Sequence, residues 1–158
     1  MADFSHIDAD GNAAMVDISA KDTTERTATA KGSVLMQAET MAMIIKGGVK
    51  KGDVLSVAQL AGIMGAKKTP DIIPLCHPIK LTSVTVDFVC DPKRNAVDIS
   101  ATCKLCGQTG VEMEALTAVS IAALTVYDMC KAVDRGMRLT DIRLVQKVGG
   151  KSGTFESE

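Results

Sequence analysis

Apolar and polar residues alternate along the chain with two different periods, and the switches between them outline its elements. A loosely alternating polar stretch over residues 19–33 reads as a strand. Residues 38–46 read as a helix with Met41, Ile44 and Ile45 on one side, closed by Gly47 and Gly48, which tolerate a left-handed helix end. Asp53 is a good N-cap for a second helix. Val54, Val57, Ala58, Ala61 and Met64 form its apolar stripe, and Thr69-Pro70 predicts its stop. Residues 81–90 alternate, with Val84, Val86, Phe88 and Cys90 facing one way. A turn over 91–95 follows, and Val97, Ile99, Ala101, Cys103 and Leu105 alternate again, so the pair reads as a hairpin with one buried face.

Thr109 and Glu112 have capping-box spacing and open a long helix to about residue 133. It is apolar nearly all round from 115 to 127, which predicts deep burial. Residues 137–148 read as a last strand. Strands beside helices without regular alternation predict an α+β fold, with helices packed on one face of an antiparallel sheet.

Composition narrows the function classes. The 158 residues suit a single domain over 1–158, with flexible tails expected at about 1–13 and 150–158. Hydrophobic residues make up 46% and charged residues 23%, as in an ordinary globular chain. A net charge of −1 lacks the basic excess of a duplex-binding domain, so no nucleic-acid partner is expected. No signal peptide is read, and the apolar stretch 115–127 is too short for a bilayer, so no membrane is expected. Five cysteines without secreted context read as reduced thiols in the cytoplasm.

Four groups of residues carry candidate chemistry. Pro74-Leu75-Cys76-His77-Pro78 sets an imidazole on a loop stiffened by two prolines, which suits ligand binding or proton transfer as well as a structural histidine. Asp128 and Lys131 share a helix face beside the most apolar stretch. Partial burial would displace both pKa values toward acid–base work; the alternative is a lysine in the last turn favoured there by the helix dipole. Glu112 and Glu114 begin the same helix. Capping accounts well for Glu112 and less well for Glu114, which suits the N–H and NH₂ edge of a guanine-like base. The turn over 47–52, with Lys50 and Lys51 before a helix N-terminus, is a candidate phosphate site or a solvated turn. Two signals fail. Gly150-Lys151-Ser152 resembles the end of a P-loop, but Val145 stands where that motif needs glycine. Cys103 and Cys106 have odd spacing, which points them to opposite faces of a strand.

Several of these segments are familiar together. They are Met15-Val16-Asp17, residues 73–78, residues 110–118, residues 127–132 and Gly149-Gly150-Lys151-Ser152-Gly153. In this order, over nearly the whole chain, they resemble the cyclic pyranopterin monophosphate synthase family of molybdenum-cofactor biosynthesis, molybdenum cofactor biosynthesis protein C. The resemblance implies a ferredoxin-like fold and a homohexamer built as a trimer of dimers. It implies a lyase that converts (8S)-3′,8-cyclo-7,8-dihydroguanosine 5′-triphosphate to cyclic pyranopterin monophosphate and pyrophosphate. It implies no resident cofactor, with Mg²⁺ at most accompanying the triphosphate. It makes Asp128 and Lys131 the acid–base pair. It gives substrate binding to Leu75, Cys76, His77, Met113, Glu114 and Glu112, and the triphosphate to Arg26, Lys51, Lys67 and Lys147.

Those roles predict a site between subunits. Fourteen residues separate Glu114 from Asp128 on one helix, roughly 21 Å along its axis. One ring system cannot reach both ends within one chain, so either a second copy supplies one of them or only one of the two touches ligand and the other is structural. Two other readings compete: a non-catalytic nucleotide-binding regulator, which needs no Asp128 beside Lys131, and a zinc-stabilised interaction protein using Cys76, His77, Cys103 and Cys106.

Overall fold

A computed structural model describes residues 4–47 and 53–158. The expected helix end at Gly48 and the lysine turn with Lys50 and Lys51 lie outside the described residues. The elements run β1 (Thr24–Leu35), α1 (Ala38–Ile45), α2 (Val54–Ile72), β2 (Ser83–Asp91), β3 (Ala96–Gly107), α3 (Glu112–Cys130), β4 (Arg138–Val148) and β5 (Phe155–Glu156). The strands form one antiparallel sheet in the order β2-β3-β1-β4-β5. With α2 and α3 packed together over it, β1 to β4 make the βαββαβ arrangement of a ferredoxin-like α+β fold, as expected.

Small residues set how closely the layers approach. The core-facing positions of β1 include Ala28, Ala30, Gly32 and Val34, all buried. A Cβ on Gly32 would lie 2.9 Å from Val119 of α3. On α2, a Cβ on Gly62 would lie 3.0 Å from the Ala118 carbonyl, and one on Gly65 would lie 2.8 Å from Ile121. The buried side of α2 is therefore Val54, Ala58, Gly62, Gly65, Ala66 and Thr69. The expected stripe was wrong in part: Val57 and Met64 face outward, because close helix packing selects the face with the least side chain.

The predicted stop at Thr69-Pro70 also fails, since α2 runs on to Ile72 with Pro70 inside it. A helical proline leaves the carbonyl four residues back without its N–H. Here that carbonyl is Ala66, and the buried Thr69 hydroxyl donates to it at 3.0 Å and to the Gly65 carbonyl at 3.1 Å. The side chain beside the proline thus supplies the missing donor.

Other expectations hold. Asp53 caps α2 by accepting from the Leu55 N–H at 3.1 Å. Gly47 takes a left-handed φ of 68°. The hairpin β2–β3 buries Val86, Val97, Ile99, Ala101, Cys103 and Leu105. The capping box does not form: α3 starts without a side-chain cap, and Glu112 turns instead to Lys147. By length and composition α3, at 19 residues, could cross a membrane, being longer than its apolar stretch. Its inner side lies instead against β1 and α2. Outside the expected strands, an Ile7–Ala13 bridge and β5 give local structure to both end segments.

Candidate functional site

The open end of α3 and the start of β1 border a cleft of about 680 Å³. Three further segments close it. The first is the loop after α2, where Leu75, Cys76 and His77 follow a turn closed by the Cys76 N–H on the Ile73 carbonyl at 3.2 Å. The second is a strap over residues 4–22. His77 Nε2 donates to its Val16 carbonyl at 2.7 Å, and Gln108 Nε2 donates to its Lys21 carbonyl at 3.0 Å. The third is the turn after β4, where Gly149 and Gly150 take φ of 102° and 79°. Side chains there would collide with the Glu25 backbone and the Arg26 guanidinium, so the two glycines let the turn cross directly over Arg26.

The cleft therefore gathers eight expected residues: Arg26, Leu75, Cys76, His77, Glu112, Met113, Glu114 and Lys147. Cations and carboxylates interleave in it. Arg26 Nε donates to the Gly107 carbonyl at 3.1 Å, which fixes its stem while the rest of the guanidinium stays available. Lys147 pairs with Glu112, both about three-quarters covered. Lys21 and Lys151 add two cations to the lining that motif reasoning did not assign to the site. Lys151 belongs to the rejected P-loop lookalike; the glycine turn, not a helix, brings it here.

Glu114 is the most perturbed group in the cleft. It is 3% exposed, and burial pushes its carboxyl up to about 7; the negative Glu112 acts in the same direction, while its own N–H at the helix start opposes them. Near neutral pH it therefore holds or releases a proton readily. Burial and the Glu114 charge together raise the Cys76 thiol, which keeps it from acting as a thiolate.

Three expected residues are not brought into the cleft. Lys67 is exposed on α2. Asp128 and Lys131 sit at the far end of α3, where Lys131 Nζ donates to Asp128 Oδ1 at 2.6 Å. Their side chains are 58% and 52% exposed, so partial burial within the chain is corrected: the stripe that starts buried at Glu114 is half-buried at Ile121 and Thr125 and bare at Asp128. The bond to Asp128 raises the Lys131 pKa. Lys51 lies outside the described residues. Cys103 points into the core and Cys106 outward, as their spacing requires.

Comparison with known proteins gives one consistent result. The family model of the MoaC family matches residues 15–150. A protein of Rhodospirillum rubrum named cyclic pyranopterin monophosphate synthase is 68% identical over 96% of this chain and 92% of its own length. Proteins of the same name from Dinoroseobacter shibae and Parvibaculum lavamentivorans are 63% and 58% identical. The first covers the full length of both chains, and the second covers 98% of this chain and 97% of its own. Matches of this extent and identity leave one assignment: the chain belongs to the MoaC family.

Proposed function

We propose that this chain is a cyclic pyranopterin monophosphate synthase, a lyase of molybdenum-cofactor biosynthesis. It converts (8S)-3′,8-cyclo-7,8-dihydroguanosine 5′-triphosphate to cyclic pyranopterin monophosphate with release of pyrophosphate. The observation that carries this reading is the meeting of Leu75–Cys76–His77, Met113–Glu114, Arg26 and Lys147 in one cleft, contributed by separate segments of a chain whose close relatives bear that name. A purine-derived ring must open, a pyrazine ring must close, and a cyclic phosphate must form as pyrophosphate leaves. Proton carriers beside the ring and cations around the phosphates serve those steps.

In this reading the ring system lies against Leu75, Cys76, His77, Met113 and Glu114. Arg26 and Lys147 take the triphosphate, joined by Lys51, and Lys67, which stands outside its own cleft, joins them from a neighbouring copy. The phosphates compete with Glu112 for Lys147, which makes Glu112 a placeholder for substrate charge. No resident cofactor is required, and Mg²⁺ enters only with the triphosphate.

Asp128 and Lys131 act as the acid–base pair on a ring bound in the cleft of a neighbouring chain. Three features support this. The pair stands outside its own cleft. About 21 Å of helix axis separates it from Glu114. The outer sides of α2 and α3 leave Leu60 and Met64 64% exposed and Leu124 53% exposed, apolar surface that a second copy would cover. The assembly is a homohexamer, a trimer of dimers, working in the cytoplasm. The test is to mix inactive Glu114→Ala and Asp128→Ala proteins under conditions of proven subunit exchange. Sites shared between chains recover pyrophosphate release, because some interfaces then carry both native residues. No recovery confines the site to one chain.

A further inference from the structure

Among the described residues one buried side-chain oxygen has no hydrogen-bond partner: Oγ1 of Thr24. An orphaned hydroxyl is unfavourable and uncommon in a folded chain. This one does not sit in the core. Thr24 is the first residue of β1, paired across the sheet with Gly107, and it lines the cleft. It stands two residues before Arg26, so both side chains occupy one strand face, the face that continues as buried Ala28 and Ala30. The oxygen is shut off from water, so another atom of Thr24 meets the cleft. One rotamer step about χ1 moves the hydroxyl by about 120°. It has no bond to give up in making that step.

We infer that Thr24 is a substrate-binding residue, whose hydroxyl turns into the cleft and hydrogen-bonds a polar atom of the nucleotide-derived substrate beside Arg26. This rests on the cleft being the substrate site. The hydroxyl both donates and accepts, so ring nitrogens, amines and ribose or phosphate oxygens are all partners it can serve. Its orphaned state in the free protein is then a preparation for binding: the substrate supplies the bond that the fold withholds.

The test uses Thr24→Val, which keeps the branched shape and strand preference but removes the hydroxyl, and Thr24→Ser, which keeps the hydroxyl. With the cyclised guanosine triphosphate as substrate, kcat/KM of Thr24→Val falls about tenfold, the size of one lost hydrogen bond to a bound polar group. The thermal midpoint of the ligand-free Val variant stays level or rises, because an unsatisfied group has been removed. Thr24→Ser recovers most of the lost kcat/KM. A Val variant with native turnover overturns the inference. So does a lowered midpoint of that variant, which reveals a structural partner, and so does a Ser variant as weak as Val, which makes the methyl group the working part. His77→Ala and Glu114→Ala, assayed alongside, separate the two levels. If both keep full turnover, the cleft is not the site; if they fail while Thr24→Val does not, only the role of Thr24 is lost.

Discussion

Replacing Glu114 with glutamine removes a charge that the fold holds at a disadvantage. The carboxyl is buried at the start of α3, and its pKa rises from 4.5 to about 7. That rise is worth roughly 3 kcal/mol, at about 1.4 kcal/mol per pKa unit. In the folded chain the group keeps its proton up to about pH 7, whereas in the unfolded chain it loses it near 4.5. Between those values the unfolded state binds fewer protons, so native stability falls as pH rises, and above about 7 the full penalty applies. Glutamine has nearly the same shape and no charge at any pH. Glu114→Gln therefore matches the native protein near pH 4.5 and exceeds it by roughly 3 kcal/mol at pH 8. Urea unfolding at both pH values, at one fixed protein concentration, measures the difference, and titrations common to both proteins cancel. An equal stability difference at pH 4.5 and pH 8, or a native protein more stable than the variant at pH 8, would refute the reasoning. The stabilised variant has also lost the carboxyl proposed to lie against the ring, so its turnover is expected to fall while its stability rises.

Asp128→Ala and Lys131→Ala each lower pyrophosphate release by roughly 10²–10⁴ while leaving stability almost unchanged, because the pair is an exposed contact within its own chain; stopped-time assays and urea unfolding check both outcomes. Thr69→Val costs about 1–2 kcal/mol by leaving the Ala66 carbonyl without a donor. Adding Pro70→Ala recovers part of that loss by restoring a backbone N–H, and thermal unfolding of the single and double variants reads the coupling. Gly149→Ala strains a backbone at φ 102° and pushes against the Glu25 backbone. It costs about 1–3 kcal/mol and raises KM by displacing the turn over Arg26, seen in unfolding and steady-state assays.

Where local pattern and final environment agree, the fold is readable from residue order. Strand alternation marked β2 and β3, and Asp53 marked the start of α2. Where one side chain answers to a distant partner, local rules fail. Thr69 supplies the donor Pro70 lacks, so a stop signal became mid-helix. Glu112 leaves its capping position for Lys147 on β4. Val57 and Met64 looked like core, but Gly62 and Gly65 turned inward, since their lack of side chain is what lets α2 approach α3. The cleft divides in the same way. The 74–78 loop and the start of α3 carry recognisable motifs and stand together. Lys21 and Thr24 carry no local signal of a site, and Lys151 carried only the rejected P-loop ending; strap, sheet and turn bring them there. Asp128 and Lys131 were legible as a pair, but their exposure depends on what covers the far end of α3.

Strand order also bears on how the chain is made. β1 lies in the middle of the sheet, between β3 and β4, yet it leaves the ribosome before either. Its neighbours arrive only with residues 96–107 and 138–148. At about 5–20 residues per second, β1 waits several seconds with both edges open. An open strand edge is a template for pairing with other chains. The sequence Thr-Glu-Arg-Thr-Ala-Thr-Ala-Lys-Gly-Ser precedes its only two large apolar residues, Val34 and Leu35. The same alanines and glycine that admit α3 in the finished protein thus leave the nascent strand poor in the large apolar side chains that drive aggregation.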